Sequence, residues 1–220
     1  MTLRLLYTDE MRGFYKSNVM IVLWIGLPLL AIVSYIFLPD IGDETSITYV
    51  TSSIISSIGG WLAAMMLAIH IIHEKSHHVY ELFLIRPVRR SHIILSKYFA
   101  VLSCVALACL LALIVGFITD YFILDRFSNI LFIDTLRSFV IGLAIIAIEC
   151  AAGAFVGVLV SSVLVGVILV VITHNIASLT IIVPIMTKAN NVHLLSISSG
   201  IILSAVFLFM AIQIFRRKEL

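Results

Sequence analysis

Two places in this chain set acid and imidazole where they can do chemistry. The first is His73-Glu74-Lys75-Ser76-His77. Residues four apart share a helix face, so its two imidazoles can hold a zinc ion while the glutamate activates the bound water, as H-E-x-x-H does in metalloproteases. The second is Glu149 with His174 and Asn175, all three inside long apolar runs. A charge in the middle of a bilayer costs about 2.5–3.5 kcal/mol or more, so an ionisable residue there marks a candidate translocation pathway or an ion-coupled carrier site.

Each has a plainer alternative. A catalytic zinc needs a third protein ligand and an open position. Glu149 is the one carboxylate deep in an apolar run, yet it falls near mid-bilayer while His73 and His77 fall at a span end. That is a mismatch of roughly 15 Å against ligand bonds of about 2 Å. The expected metal content is therefore none, and the histidines read as headgroup-level residues of an interfacial helix. For Glu149, the alternative is a neutral acid hydrogen-bonded to His174 or to a carbonyl, serving packing specificity alone.

The elements that must position these residues are membrane helices. Hydrophobic residues make up 62% of the 220 and charged residues 12%, about half the charged share of a soluble domain, and the mean hydropathy is +1.19. Six apolar runs approach or exceed the length needed to cross about 30 Å of hydrocarbon. They read as spans at about 19–38, 50–72, 95–119, 138–160, 163–186 and 194–215, in one transmembrane domain covering 1–220. No cleavable signal peptide is expected, since the first run leads to Leu38-Pro39-Asp40 rather than to small residues. Residues 138–183 hold no Lys, Arg or Asp over 46 positions, roughly 69 Å as helix and therefore two crossings, with the turn at Ser161-Ser162. Glu149 and His174 are equidistant from that turn, so an antiparallel hairpin brings them to one depth. Residues 120–137 are expected to be a loop.

Small residues recur four apart at Ser52, Ser56, Gly60 and Ala64, and again through Ala147, Ala151, Gly153, Gly157 and Ser161. Such stripes let helix backbones approach closely. Ahead of the first span, Leu3, Leu6, Tyr7, Met11 and Phe14 oppose Arg4, Thr8, Arg12 and Lys16, which is the pattern of an amphipathic helix lying on lipid. Cys104, Cys109 and Cys150 sit in apolar runs as packing residues.

Six spans put both termini and the charged segment 73–97 on one side, and that side collects eleven of the fourteen Lys and Arg. By the positive-inside rule it is cytoplasmic, in the cell membrane. The basic residues cluster at span ends and form no basic face, so no nucleic acid is expected.

Within the charged segment, a helix from Glu74 to Arg86 carries Val79, Leu82 and Phe83 on one side and must stop before Pro87. Arg86, Arg89 and Arg90 surround the break. A short amphipathic helix of this kind suits docking into a groove on a soluble partner. Glu74-Lys75, the box Glu81-Leu82-Phe83-Leu84, then Pro87, Arg90 and Lys97, resemble the coupling-helix region of type 2 ABC transporter permeases. The pattern departs at His78-Val79, Arg86 and Ser96, where that family carries Gly-Thr, a small polar residue and Gly.

The resemblance implies an all-α membrane fold of six spans, with an N-terminal interfacial helix and a cytoplasmic coupling helix between spans 2 and 3. It implies the permease subunit of an ATP-driven exporter that works as a homodimer with a separate ATPase subunit. ATP and Mg would bind that partner, and this chain would be no enzyme by itself. The chain has no G-x-x-x-x-G-K-[ST] phosphate loop. Glu74, Val79, Glu81, Leu82, Phe83, Arg86, Pro87, Arg89 and Arg90 would contact the ATPase. The cargo is not readable.

Overall fold

The structure is a computed structural model that describes residues 3–37, 47–77, 90–119, 121–122, 129–186 and 192–217. Among these there is no strand, and seven helices account for nearly all of them. They are α1 (Leu3–Tyr15), α2 (Asn18–Phe37), α3 (Ile47–Ser76), α4 (Arg90–Thr119), α5 (Asn129–Leu159), α6 (Val163–Met186) and α7 (Val192–Arg217). The chain is a helical, multi-pass membrane protein. Four stretches are long and apolar enough to cross a bilayer: Ser52–Ser76, Ser91–Thr119, Thr135–Leu159 and Leu194–Arg217. α1 and α2, bent by 69° at Lys16-Ser17, together form a fifth candidate. The described apolar part of α6, Val163–Asn175, is shorter than a full crossing.

α3 and α5 form the most extensive helix pair, and α5 also packs along α7. The two small-residue stripes meet each other within this one chain. A Cβ on Gly153 would stand 2.7 Å from Ala64 Cα, and one on Gly157 would stand 3.1 Å from Ala68 Cα. Only a residue without a side chain lets the backbones come this close. The contacts advance together along both helices, from Ser52 on Ser138 to Gly60 on Ile146, Ala64 on Gly153 and Ala68 on Gly157. α3 and α5 therefore run parallel. The core continues into α4, whose Val101, Cys104, Val105, Ala108, Cys109 and Ala112 are fully buried against it.

Three expectations need correction. Residues 129–137 are the first turns of α5 and not a loop, because hydropathy marks where hydrocarbon ends while the helix itself continues past it. α4 begins at Arg90, five residues before the expected span. His73 to Ser76 form the last turn of α3 instead of opening an interfacial helix, and a turn follows at His77. The break between α5 and α6 falls at 160–162, as the paired serines suggest.

Candidate functional site

Among the described residues, two clusters of ionisable side chains lie inside the helices. The first gathers at the end where α3 finishes and α4 starts. Lys97 is completely buried, and its ammonium donates to Glu10 Oε1 and to Glu74 Oε1, each at 2.7 Å. His70 Nδ1 lies 3.3 Å from Glu74 Oε1 and 3.5 Å from Lys97 Nζ. Three helices thus share one ammonium: α1 through Glu10, α3 through Glu74, and α4 through Lys97. Removing an ion from water is costly, and two carboxylates with charge-assisted bonds of this length offset it.

α1 is held here by more than charge. Leu6 and Phe14 are buried, Tyr7 donates from its hydroxyl to Ser103 Oγ at 3.0 Å, and Phe14 packs its ring 4.9 Å from that of His70. Arg4, Thr8 and Arg12 stay exposed on the opposite stripe. Burial pushes the Glu10 carboxyl above its ordinary range, and the Lys97 ammonium pulls back against that.

This arrangement bears on the zinc motif. His73 and His77 are exposed, their rings tilted at 48° with centroids 4.3 Å apart. Glu74, the residue that would activate water, is turned to Lys97. Among the described residues no three His, Cys, Asp or Glu gather as a metal site. Gly60, which touches Glu149, precedes His73 by thirteen residues on the same helix, so about 20 Å separates the two levels.

The second cluster is in the middle of the bundle. His174 Nδ1 lies 2.8 Å from Glu149 Oε1, across the α5–α6 break. Glu149 is buried at 2% exposure, and its Oε2 has no hydrogen-bond partner. That oxygen is sealed by Gly60, where a Cβ would stand only 2.7 Å away. Trp61 packs its ring 6.3 Å from that of His174, and its buried indole N–H is also without a partner. Asn175 lies apart, exposed, with its amide donating to the Val171 carbonyl.

Of the residues expected to dock a partner, Glu74 is placed as above. Arg90 opens α4. Val79, Glu81, Leu82, Phe83, Arg86, Pro87 and Arg89 lie outside the described residues. The sequence misses Glu10, His70 and Trp61, and it places Lys97 in the coupling-helix pattern at the entry to a span without its two carboxylate partners. One signal for Glu10 was present, since it falls on the apolar stripe of α1 three residues after Tyr7 and four before Phe14. A carboxylate on a buried stripe needs a counter-ion.

No family model matches the chain, and no curated protein matches its sequence.

Proposed function

We propose that this chain is the permease subunit of an ATP-driven exporter of the ABC-2 type. It would cross the cell membrane six times with both termini in the cytoplasm, and would act as a homodimer. ATP and Mg belong to a separate ATPase subunit that docks on the coupling helix between α3 and α4. The observation carrying this reading is the Lys97 cluster. Glu74 and Lys97 bracket the charged segment, and the same ammonium ties both to Glu10 on α1. A push on residues 78–89 would reach two core helices and α1 at once, which is what a force-transmitting element requires.

The α3–α5 packing supports the reading as well. Parallel helices with α4 between them in the chain fit a single crossing by α4. Co-purification tests the proposal: an ATPase with a phosphate loop should come down with the tagged chain at equal stoichiometry and lose binding in Phe83→Asp. Glu81→Lys or Phe83→Asp should also uncouple hydrolysis from transport while leaving insertion intact. A chain that captures no ATPase under mild extraction would overturn it.

The Glu149–His174 contact favours a second reading, an ion-coupled carrier that needs no ATPase. Proton-dependent flux through liposomes containing this chain alone would establish that reading in place of the first.

A further inference from the structure

The apolar stripe of α1 is occupied by protein. Leu6 and Phe14 are buried, and Tyr7 and Met11 pack on the core beside them. The opposite face carries the exposed cations Arg4 and Arg12, and an exposed Lys16 follows at the corner with α2. Asp9 is the one exposed carboxylate on α1, seven residues before Lys16 and about 10 Å away along the axis. The corner is thus the end of a face that is net positive.

Its depth follows from its neighbours. Through Glu10 and Lys97, α1 joins the end of Ser52–Ser76 to the start of Ser91–Thr119, and both stretches are long enough to cross a bilayer. The corner therefore stands where hydrocarbon gives way to headgroups. α1 and α2 are bent by 69°, so with α2 entering the bilayer α1 runs close to its surface.

A groove of about 460 Å3 opens at this corner, lined by Tyr15, Lys16, Ile21, Trp24 and Ile25. Its character changes along its length. Lys16 is exposed at the α1 side and presents an ammonium. Ile21 and Ile25, one turn apart on α2, are exposed by 49% and 63%, and make an apolar wall of about 6 Å leading away from that charge. The rings of Tyr15 and Trp24 meet edge to face with centroids 5.1 Å apart, and such residues favour the boundary between headgroups and hydrocarbon. The Trp24 indole N–H is buried, so its ring supplies surface while Lys16 supplies the charge. Basic residues at a membrane surface attract anionic lipid, and Arg12, four residues before Lys16, adds to the same field.

We propose that the groove at the α1–α2 corner binds an anionic phospholipid, its phosphate on the Lys16 ammonium and one acyl chain along Ile21 and Ile25. The site needs only a chain that spans a bilayer, and it stands apart from the export reading.

The test uses the full chain in phosphatidylcholine nanodiscs and a phosphatidylglycerol probe carrying a photoreactive diazirine in the upper part of one acyl chain. Crosslinks should concentrate on Tyr15 and on the 21–25 stretch of α2. Unlabelled phosphatidylglycerol should compete, while extra phosphatidylcholine and inorganic phosphate should not. Lys16→Gln should weaken site labelling about fivefold, the loss expected for one basic residue at a membrane surface, and Lys16→Arg should keep it. Ile21→Trp, which narrows the groove and leaves Lys16 in place, should abolish it. Labelling spread evenly over the exposed helix faces would overturn the proposal. So would equal competition by phosphatidylcholine, displacement by inorganic phosphate, or wild-type labelling in Lys16→Gln or Ile21→Trp. Labelling that meets these criteria would support the site even where no ATPase is captured, so the two proposals fail separately.

Discussion

The two buried clusters of ionisable residues both set glutamate beside histidine, and the one at the end of α3 adds a lysine and a second glutamate. At the end of α3, one ammonium is fully enclosed and both of its short bonds go to carboxylates on other helices. In the middle of the bundle, one carboxylate makes a single bond to an imidazole, and its second oxygen faces Gly60 without a partner. The first arrangement holds three helices in register and gains from being fixed. The second rests on one bond, with the other Glu149 oxygen unpartnered. Each cluster leaves one buried carboxylate oxygen, Glu74 Oε2 or Glu149 Oε2, without a partner, so what separates them is the counter-ion: a lysine held by two carboxylates in one and an imidazole on a single carboxylate in the other.

Breaking the clamp should have the largest effect. Lys97→Met leaves the Glu10 and Glu74 carboxylates facing each other without their cation, and losing one partner of a buried ion pair costs about 3–5 kcal/mol. Thermal unfolding in nanodiscs should show a large drop or loss of folded protein. Adding Glu74→Gln to Lys97→Met should recover part of it, because one of the stranded charges is gone. A single variant as stable as wild type would show that the cluster is not a clamp.

Next in size is the close packing that sets the second cluster's position. Gly153→Ala puts a methyl against the Ala64 backbone, and with backbone on both sides the helices must separate, at a cost of about 1–3 kcal/mol. The melting temperature should fall. Glu149→Gln should perturb stability less, by about 1 kcal/mol, since an amide can keep the bond to His174. Its effect should appear in activity instead. Transport unchanged in both Glu149→Gln and His174→Ala would reduce this cluster to a packing contact.

Much of this was legible because hydropathy and residue size act locally. The stripes at Ser52-Ser56-Gly60-Ala64 and Gly153-Gly157 mark surfaces of close approach, and the structure shows that they are each other's partner. The Ser161-Ser162 break and the equal spacing around it bring Glu149 to His174 by simple helix geometry. Depth sets aside the motif at His73 to His77, but its sequence does not say where the glutamate goes: it answers to Lys97, twenty-three residues away and on another helix. Glu10 lies eighty-seven residues from the same lysine. No local period encodes such a pairing, although a carboxylate on the buried stripe of α1 states the need for one. Helix ends were misjudged at Asn129 and Arg90 for a related reason, since polarity there reports the depth of the bilayer and not the state of the backbone.

The smallest expected effect separates the clusters by pH. Glu10 sits on α1, where burial raises its carboxyl above the ordinary 4.5 and Lys97 opposes the rise only in part. The folded chain therefore keeps this proton to higher pH than the unfolded chain does. Where the native state binds more protons, stability falls as pH rises. The contribution is present below 4.5 and is lost as pH climbs through the raised value. Thermal unfolding of the nanodisc protein should show that downward slope above 4.5, and Glu10→Gln should flatten it. A slope that survives Glu10→Gln and disappears in Glu149→Gln would move the titrating group to the middle of the bundle. It would then be the half-satisfied pair, and not the clamp, that responds to protons.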